Sequence, residues 1–418
     1  MSAPTDDPCF FRHEHARLIA ALSRRVGVQH LEAVEDAVQS ALLSALERWR
    51  VAGAPEDPSA WLFRVAQNRL LGELRQRAGR RRILERASRA PTDPEPASDP
   101  PAAFADEVKD DLLRMLFVCC DEVVPEPSRL VLALRTLCGF SVREIALRLF
   151  ASEANVYKRL ARARTRLRET RPALLEPSPA SMAPRLPSVH RVLYLLFTEG
   201  YLSSHAEQAI RRELCHEAIR LALLLAEHPV GQTPETRALV ALMLLHAARI
   251  SARQDGAGGL LLLEEQDRSR WDKAAIQAGL AWLARSAEGD AFTRYHAEAA
   301  IAAEHCLAPS YGATRWDRVA EGYAMLERVA PSPLVTLNRA VAVAEWRGPE
   351  AGLGLRAGLE LPSWLEGSHL VVAVLADLHR RAGHAEQAAR YRDRALASAP
   401  TPAVRALLHR RLDLGAAT

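Results

Sequence analysis

The chain has 418 residues, 49% of them hydrophobic and 25% charged, which is enough for roughly two to four domains with real cores. Leu, Ala, Arg and Glu dominate, and these residues predict an all-α fold. Apolar runs such as 260–263, and the longer run 238–245, are far too short to cross a bilayer.

Charge and cysteine content indicate where the chain works. Residues 1–175 carry 28 Lys and Arg against 24 Asp and Glu, whereas 176–418 carry 27 of each, so the first part holds the whole formal net charge of +4. Surplus positive charge attracts polyanions, which favours nucleic acid as its partner. The six cysteines are scattered without disulfide or metal-ligand spacing, and the acidic N-terminus is not a signal peptide. We therefore expect a cytoplasmic protein that does not bind membranes.

Two amphipathic helices open the chain, at about 13–27 and 31–50. Small and apolar residues form a buried stripe along the second helix. After a loop at 53–58, Asp57 and Pro58 suit the N-cap and first position of a third long helix. A polar patch lies near the start of the second helix and consists of Glu35, Asp36, Gln39 and Ser40.

The third helix carries Arg64, Asn68 and Arg75 on the side opposite its apolar stripe. Nine arginines lie between positions 64 and 89, against only two glutamates. A charge run is commonly just a solvated face, but a run of one sign beside Trp61 and Phe63 favours nucleic-acid binding. Five prolines between positions 91 and 101 then predict an extended linker.

Helices are predicted to resume at about 106–120 and 127–138. The stretch 141–168 then has the pattern of two helices joined by a tight turn at Phe150 and Ala151. Its first helix opens with capping-box spacing between Ser141 and Glu144, and Ser152 is a natural N-cap for the second helix. Together these segments predict a compact four-helix unit.

The helix after Ser152 combines an apolar stripe with a basic face. Six basic residues lie between 152 and 168, with Glu153 alone against them, whereas ordinary surface helices mix both signs. A helix-turn-helix places the start of such a helix at base edges and the rest near phosphates. We expect Glu153, Asn155 and Lys158 to affect sequence preference. We expect Arg162, Arg164 and Arg166 to affect overall affinity through phosphate contacts. The candidate DNA contacts are Ser152, Glu153, Asn155, Lys158, Arg159, Arg162 and Arg166.

A second Pro-rich break covers 172–187, and the remaining residues read as a chain of helix pairs. The clearest pair spans 368–400, with an imperfect copy at about 323–346. Helical repeats of this kind offer concave surfaces to peptides or protein partners. The positions that match a tetratricopeptide repeat are Gly383, Ala388, Tyr391, Ala395 and Pro400.

In this order the segments EDAVQSALLSALERW, AWLFRVAQNRLLGELRQR and SVREIALRLFASEANVYKRLARARTRL resemble the bacterial sigma-70 family of transcription initiation factors. More narrowly, the chain resembles the extracytoplasmic-function (group IV) branch. The segments FVCC, EEQDRSRWD and SPLVTLNRAVAVAE resemble its subgroup with a long TPR-like C-terminal extension. The resemblance implies region 2 at 10–89, a linker at 90–105, region 4 at 106–171, a linker at 172–187 and the extension at 188–418.

The resemblance also implies functions. The chain would be no enzyme, but would bind the clamp and flap of core RNA polymerase and direct initiation at promoter DNA. The patch from Glu35 to Ser40 would dock on the clamp, and the basic helix would read the −35 element. Four residues after Asn68, where the family commonly has Asp, this chain has Gly72. The residues that would read the −10 element are Trp61, Arg64, Asn68 and Arg75.

Two other interpretations remain open. A DNA-binding transcriptional regulator with a helical-repeat sensing domain would explain 106–418, but not the arginine-rich 31–89 unit. An enzyme would need His13 and His15, or His296 and His305, as metal ligands. These spacings match no common motif, and no carboxylate pair or nucleophile elbow accompanies them. We therefore predict no catalytic residue, metal site or cofactor, and expect an intramolecular or protein partner for the extension.

Overall fold

The computed structural model describes residues 8–86, 104–149, 151–169, 179–202, 210–256, 258–357, 361–399 and 402–413. Helices make up the regular structure of these ranges, and their β pairing is an isolated antiparallel bridge between Gln254 and Leu260. The predicted all-α fold is confirmed. The chain divides into two compact units, Met1–Leu196 and Phe197–Thr418.

The helices of the first unit follow the predicted order, with ends that differ by a few residues from the sequence expectation. Phe150 of the predicted turn, residues 170 and 171, and the predicted linker residues 90–103 and 172–178 lie outside the described residues. The unit contains α1 (Pro8–Val26), α2 (Leu31–Ala52), α3 (Pro58–Arg86), α4 (Phe104–Cys119), α5 (Glu126–Thr136), α6 (Val142–Arg148), α7 (Glu153–Glu169), α8 (Pro179–Met182) and most of α9 (Leu186–Tyr201).

Local capping explains where α2 ends and α3 begins. Gly53 has a φ of +80°, which favours glycine, and its N–H donates to the Trp49 carbonyl oxygen over 3.0 Å. Asp57 then accepts from the Ala60 N–H over 2.9 Å, and Pro58 takes the first helical position. This turn sets α2 and α3 side by side around buried apolar residues of both helices.

Buried side chains of α4 and α5 form the centre of the four-helix part. Phe117 and Leu132 are fully buried, as is Phe140 in the loop before α6. Cys119 and Cys120 are also fully buried, and burial raises the pKa of Cys120 to about 12. These adjacent cysteines therefore behave as small protonated core residues.

The end of the second Pro-rich segment is helical. Proline is tolerated in the first turn of a helix, so 179–187 forms α8, a short 3-10 helix and the start of α9. Arg185 is buried there, with its Nη2 atom 2.5 Å from Oδ2 of buried Asp121. This ion pair fixes the start of α9 on the turn between α4 and α5.

The second unit is built from consecutive helices that pack against their neighbours. Gly352 in α16 allows the close approach of α15, because a Cβ there would lie 2.6 Å from the Ala340 carbonyl oxygen. The helices are α10 (Arg212–Glu227), α11 (Pro234–Ala247), α12 (Lys273–Ser286), α13 (Arg294–Leu307), α14 (Trp316–Val329), α15 (Pro333–Arg347), α16 (Pro349–Ala357), α17 (Ser363–Glu366), α18 (His369–Arg381), α19 (Ala385–Ala397) and α20 (Pro402–Asp413).

The α18–α19 pair occupies the segment with the clearest repeat pattern. Gly383 has a φ of +80° in the turn, and Ala395 is fully buried. Tyr391 stacks on His379 with ring centroids 5.5 Å apart. Pro400 lies outside the described residues. The glycine, alanine and tyrosine of the repeat pattern therefore sit at the turn and packing positions of a helical hairpin.

Candidate nucleic-acid and protein interfaces

The α6–α7 pair has the caps that its sequence predicts. The Ser141 N–H donates to Glu144 Oε2 over 2.7 Å, and the Glu144 N–H donates back to Ser141 Oγ over 3.2 Å. At the start of α7, the Asn155 N–H donates to Ser152 Oγ over 3.2 Å. At both helix starts, a backbone N–H group that has no partner within the helix is thus bound by a nearby capping side chain. These caps fix where α6 and α7 begin.

One side of α7 is buried and the opposite side is open and basic. The buried stripe consists of Val156, Leu160, Ala163 and Leu167. Arg159 is half-buried, and Arg166 lies 3.3 Å from Glu169. This exposed cationic face has the form of a major-groove recognition surface. The exposed candidate residues are Ser152, Glu153, Asn155, Lys158, Arg162 and Arg166.

The candidate −10 residues lie on α3. Arg64, Asn68 and Arg75 are exposed, and their spacing of four and seven places them on one side of the helix. Trp61 is half-buried because its ring packs against Trp49 with centroids 5.4 Å apart. Part of the Trp61 side chain therefore stays exposed to solvent.

Phe63, the other aromatic residue of this segment, belongs to the core. Its side chain is 6% exposed, and the Arg25 guanidinium lies 4.9 Å from its ring centroid. Packing of α1 against α3 covers the Phe63 ring, so Phe63 is a core residue and does not present its ring to a base. Of the arginine run, the side chains of residues 78–86 and all of Arg89 lie outside the described residues.

The candidate polymerase-binding patch lies on the first turns of α2. Asp36 and Gln39 are exposed, whereas Glu35 and Ser40 are half-buried. Asp36 and Gln39 are separated by one helical turn, so they face the same direction. The patch therefore presents one carboxylate and one amide to a partner, with Glu35 at its edge.

Glu35 is held by side chains from the helix-turn-helix part. The Thr136 hydroxyl donates to Glu35 Oε1 over 2.9 Å, and Arg164 Nη2 donates to Glu35 Oε2. Arg164 Nη1 also lies 3.9 Å from Glu32 Oε1. The side chain of Glu35 is only 11% exposed as a result. One expected polymerase contact is thus occupied by a basic residue of the expected DNA-binding helix.

Two further features join the same two parts of the first unit. Arg24 of α1 forms an ion pair of 3.2 Å with the buried carboxylate of Asp111 in α4. A notch of about 30 Å³, the volume of roughly one water molecule, lies between these parts. Its lining includes His30, Arg77, Arg164 and Arg168. Burial, with Arg77 nearby, lowers the pKa of His30. The notch is accordingly a small positively charged crevice.

Sequence reasoning did not identify the contact partners Thr136, Arg24 and Asp111. Arg24 and Asp111 are 87 residues apart in the sequence, and Thr136 is 101 residues from Glu35. No local periodicity connects positions that far apart. Thr136 is fully buried on the polar edge of α5. A buried threonine next to an apolar stripe is a weak sequence signal, and only the packing of the helices reveals its partner.

The histidines considered as metal ligands have other surroundings. His296 Nδ1 lies 3.1 Å from the Thr293 N–H that it caps, and Nε2 lies 3.2 Å from the Ser286 carbonyl oxygen. Among the residues that the structure describes, no group of three or more His, Cys, Asp or Glu could hold a metal ion. In the same part of the chain, no helix is both long and apolar enough to cross a membrane.

Comparison with known proteins identifies three segments. Residues 11–80 match the family model of sigma-70 region 2, and residues 115–167 match that of sigma-70 region 4. Residues 185–287 match a family of unknown function (DUF6596). No solved structure matches the chain significantly.

A relative matches over almost the whole length. The uncharacterized protein R00370 of Rhizobium meliloti (strain 1021) is 35% identical over 391 residues, which cover 92% of this chain and 90% of the relative. The region 2 match contains α2 and most of α3, and the region 4 match contains α6 and most of α7. The chain belongs to the sigma-70 family and is an RNA polymerase sigma factor, with a C-terminal helical extension.

Proposed function

We propose that the chain is a sigma factor of the extracytoplasmic-function (group IV) type. Under this proposal region 2 spans 10–89 and region 4 spans 106–171, joined by the linker 90–105. A second linker at 172–187, which is helical from Pro179 onward, precedes the extension 188–418. The observation that supports it best is the presence of two separate exposed basic helices, α3 and α7, in one unit. Two such surfaces suit two promoter elements, and the proposed place of action is the cytoplasm.

The exposed face of α7 reads the −35 element in this proposal. Glu153, Asn155 and Lys158 lie near its N-terminus, where a recognition helix meets base edges. Arg162 and Arg166 lie one and two turns further along, where they neutralise phosphates and set the register. Sequence preference and overall affinity are therefore separable along one helix.

The exposed face of α3 reads the −10 element. Arg64 and Arg75 bind the backbone of the melted strand, and Asn68 between them faces the bases. Trp61 supplies a stacking surface for an extruded base, since its other side is anchored on Trp49. Buried Phe63 supports this arrangement from within the core.

Core polymerase binds through α2 and, at its flap, through region 4. Asp36 and Gln39 are open to the clamp, but Glu35 first has to release Arg164 and Thr136. Arg164 becomes available to a promoter phosphate in the same step. Polymerase binding and DNA binding are therefore coupled through one ion pair, and free sigma factor binds promoter DNA more weakly than the holoenzyme does.

The extension regulates this exchange in our proposal. Its helical hairpins offer surfaces for an intramolecular or protein partner. Deletion of the extension tests the idea, because a regulatory role predicts altered transcription from the target promoter. Normal transcription by the truncated chain would show that the extension is not regulatory under those conditions.

Run-off transcription with purified core polymerase tests the proposed promoter specificity. We expect start sites that share one −10 and one −35 sequence. Asn68→Ala should change the preference at −10, and Asn155→Ala the preference at −35, with Gln387→Ala, an exposed amide in the extension, as the control. Start sites without a common element at either position would contradict the proposal.

A further inference from the structure

The second unit contains a cavity of about 260 Å³ that promoter binding does not use. Its walls come from the loop 262–264 and from α13, α14, α15, α18 and α20. Val319 and Ala342 give it an apolar floor, since both belong to a buried core cluster. The volume equals that of roughly eight or nine water molecules, which suits a small molecule rather than a folded partner.

Three rings form a row along one wall. The centroid of His305 lies 5.4 Å from that of Trp316, and Tyr311 lies 5.1 Å from Trp316 on the other side. Both pairs are edge-to-face, so the row offers ring faces as well as edges to the cavity. An apolar or aromatic group of a ligand would pack on this wall.

One end of the row, at Tyr311, carries two opposite charges. Burial raises the pKa of Tyr311, Glu345 and Glu264 raise it further, and Arg411 opposes them. Glu264, Tyr311 and Arg411 all line the cavity. In the described part of the chain no ion pair joins Glu264 to Arg411 or to another cation, whereas Arg410 lies 3.6 Å from the neighbouring Glu265.

The charge of Arg411 is only partly compensated. The Nη2 atom of Arg411 lies 3.3 Å from Asp377 Oδ2. Asp377 also forms an ion pair with Arg380, whose Nη2 atom lies 2.8 Å from Oδ1. Arg381 lies 3.8 Å from Asp377 and 2.5 Å from Glu345. Three guanidinium groups thus share two carboxylates, and one positive charge remains. A separated carboxylate and guanidinium beside an aromatic wall match the two charges of a zwitterion.

The other end of the row is uncharged. Burial lowers the pKa of His305 to about 3, with Arg249 and Arg268 adding to the effect, so its imidazole is neutral. The buried Nδ1 of His305 has no hydrogen-bond partner among the described residues. This end accepts an uncharged group, and a hydroxyl there would satisfy the imidazole nitrogen.

We propose that this cavity binds a free α-amino acid with a large uncharged side chain. The ammonium group pairs with Glu264, the carboxylate pairs with Arg411, and the side chain lies along Tyr311 and Trp316 toward His305. The extension would then be a sensor of a small metabolite. Ligand binding can be measured without polymerase or DNA, so its failure is distinct from a failure of the proposed promoter specificity.

Calorimetric titration of the full chain tests this assignment. We expect at least one of L-phenylalanine, L-tyrosine and L-leucine to bind, each titrated up to about 10 mM. Phenylacetate lacks the ammonium group and phenethylamine lacks the carboxylate. If L-phenylalanine binds, each of these two compounds should bind at least about tenfold more weakly. If another amino acid binds instead, its own analogues without the ammonium group or without the carboxylate should show the same loss. Absence of binding by all three amino acids would overturn the proposal, as would equal binding of the truncated analogues.

Two substitutions assign the charges. Glu264→Gln is an exposed change and should weaken binding of the amino acid about tenfold or more while leaving the melting temperature unchanged. Arg411→Gln should weaken it similarly. Arg405→Gln, an exposed arginine on the same helix, is the control and should bind like the wild type. Unchanged affinity of Glu264→Gln would contradict the site, whatever Arg411→Gln does to folding.

Discussion

Glu35 shows how one side chain can connect two activities. Its two carboxylate oxygens bind Thr136 and Arg164, while its neighbours Asp36 and Gln39 stay open. A carboxylate with two such partners is stabilised by charge-assisted hydrogen bonds in a partly desolvated place. We therefore expect removal of the charge to affect the stability of the free chain as well as the proposed polymerase binding.

Replacing Glu35 by Gln should lower the free energy of unfolding by about 1–3 kcal/mol, because Arg164 loses a charged partner. Asp36→Asn is the matched control: it lies on the next, exposed position and should change stability by less than about 0.5 kcal/mol. Urea unfolding measures both values. Equal stability of the two variants would show that the Glu35 contact is not made in solution.

Arg162 tests the DNA-binding face of α7. Arg162→Glu should reduce binding of the −35 element by holoenzyme at least about tenfold, because a phosphate contact becomes a repulsion. The residue is exposed, so the helix should stay folded. Arg212→Glu, an exposed arginine in the second unit, serves as the control. Promoter binding that survives the substitution would show that another face of α7 meets DNA.

At the level of elements, local sequence signals predicted most of what the structure shows. Capping residues and period-3.6 stripes placed α2, α3, α6 and α7 because both act within a few residues of the chain. The same signals could not separate Trp61 from Phe63, since each is aromatic and next to the same arginines. Only the packing of α1 on α3 buries Phe63.

Contacts between distant elements were beyond sequence reasoning. Helical periodicity places Arg164 away from Arg162 and beside the buried stripe, but it does not show which residue Arg164 binds. It turns inward because α7 packs next to the short 3-10 helix Val28–His30, which brings Glu35 within reach. The cavity around Tyr311 and Trp316 likewise needs five helices at once and has no motif of its own.

The capping box of α6 gives a prediction for this element. Ser141→Ala removes the acceptor of the Glu144 N–H and should lower the free energy of unfolding by about 1 kcal/mol. Arg143→Ala, at an exposed position in the first turn, should change it by only a few tenths, about 0.3 kcal/mol. Thermal or urea unfolding measures both. A neutral Ser141→Ala would mean that the box does not set the start of α6.

For the whole molecule, charge distribution and function coincide. The first unit carries the surplus of positive charge, the two exposed basic helices and both sigma-region matches. The second unit adds a long series of helices and a cavity with separated charges. Promoter and polymerase binding therefore belong to the first unit, and the regulation that we propose belongs to the second.

Salt dependence tests the phosphate contacts of the assembled holoenzyme. If α3 and α7 together neutralise six or more phosphates, promoter affinity should fall roughly a thousandfold between about 50 and 200 mM salt. Filter binding or fluorescence anisotropy of a promoter fragment measures the slope. A variant with both Arg75 and Arg162 changed to Gln should show a shallower slope, whereas a flat response of the wild type would contradict the role of both helices.

The affinity of purified core RNA polymerase for this chain tests the central claim most directly. The measurement compares the full chain, the chain without its extension, and an Asp36→Arg, Gln39→Glu double variant. We predict that core polymerase binds specifically to the full chain, to the chain without its extension, or to both. The affinity of the double variant should be at least about tenfold lower. If core polymerase binds neither the full chain nor the truncated one, the assignment of α2 as its docking helix is contradicted.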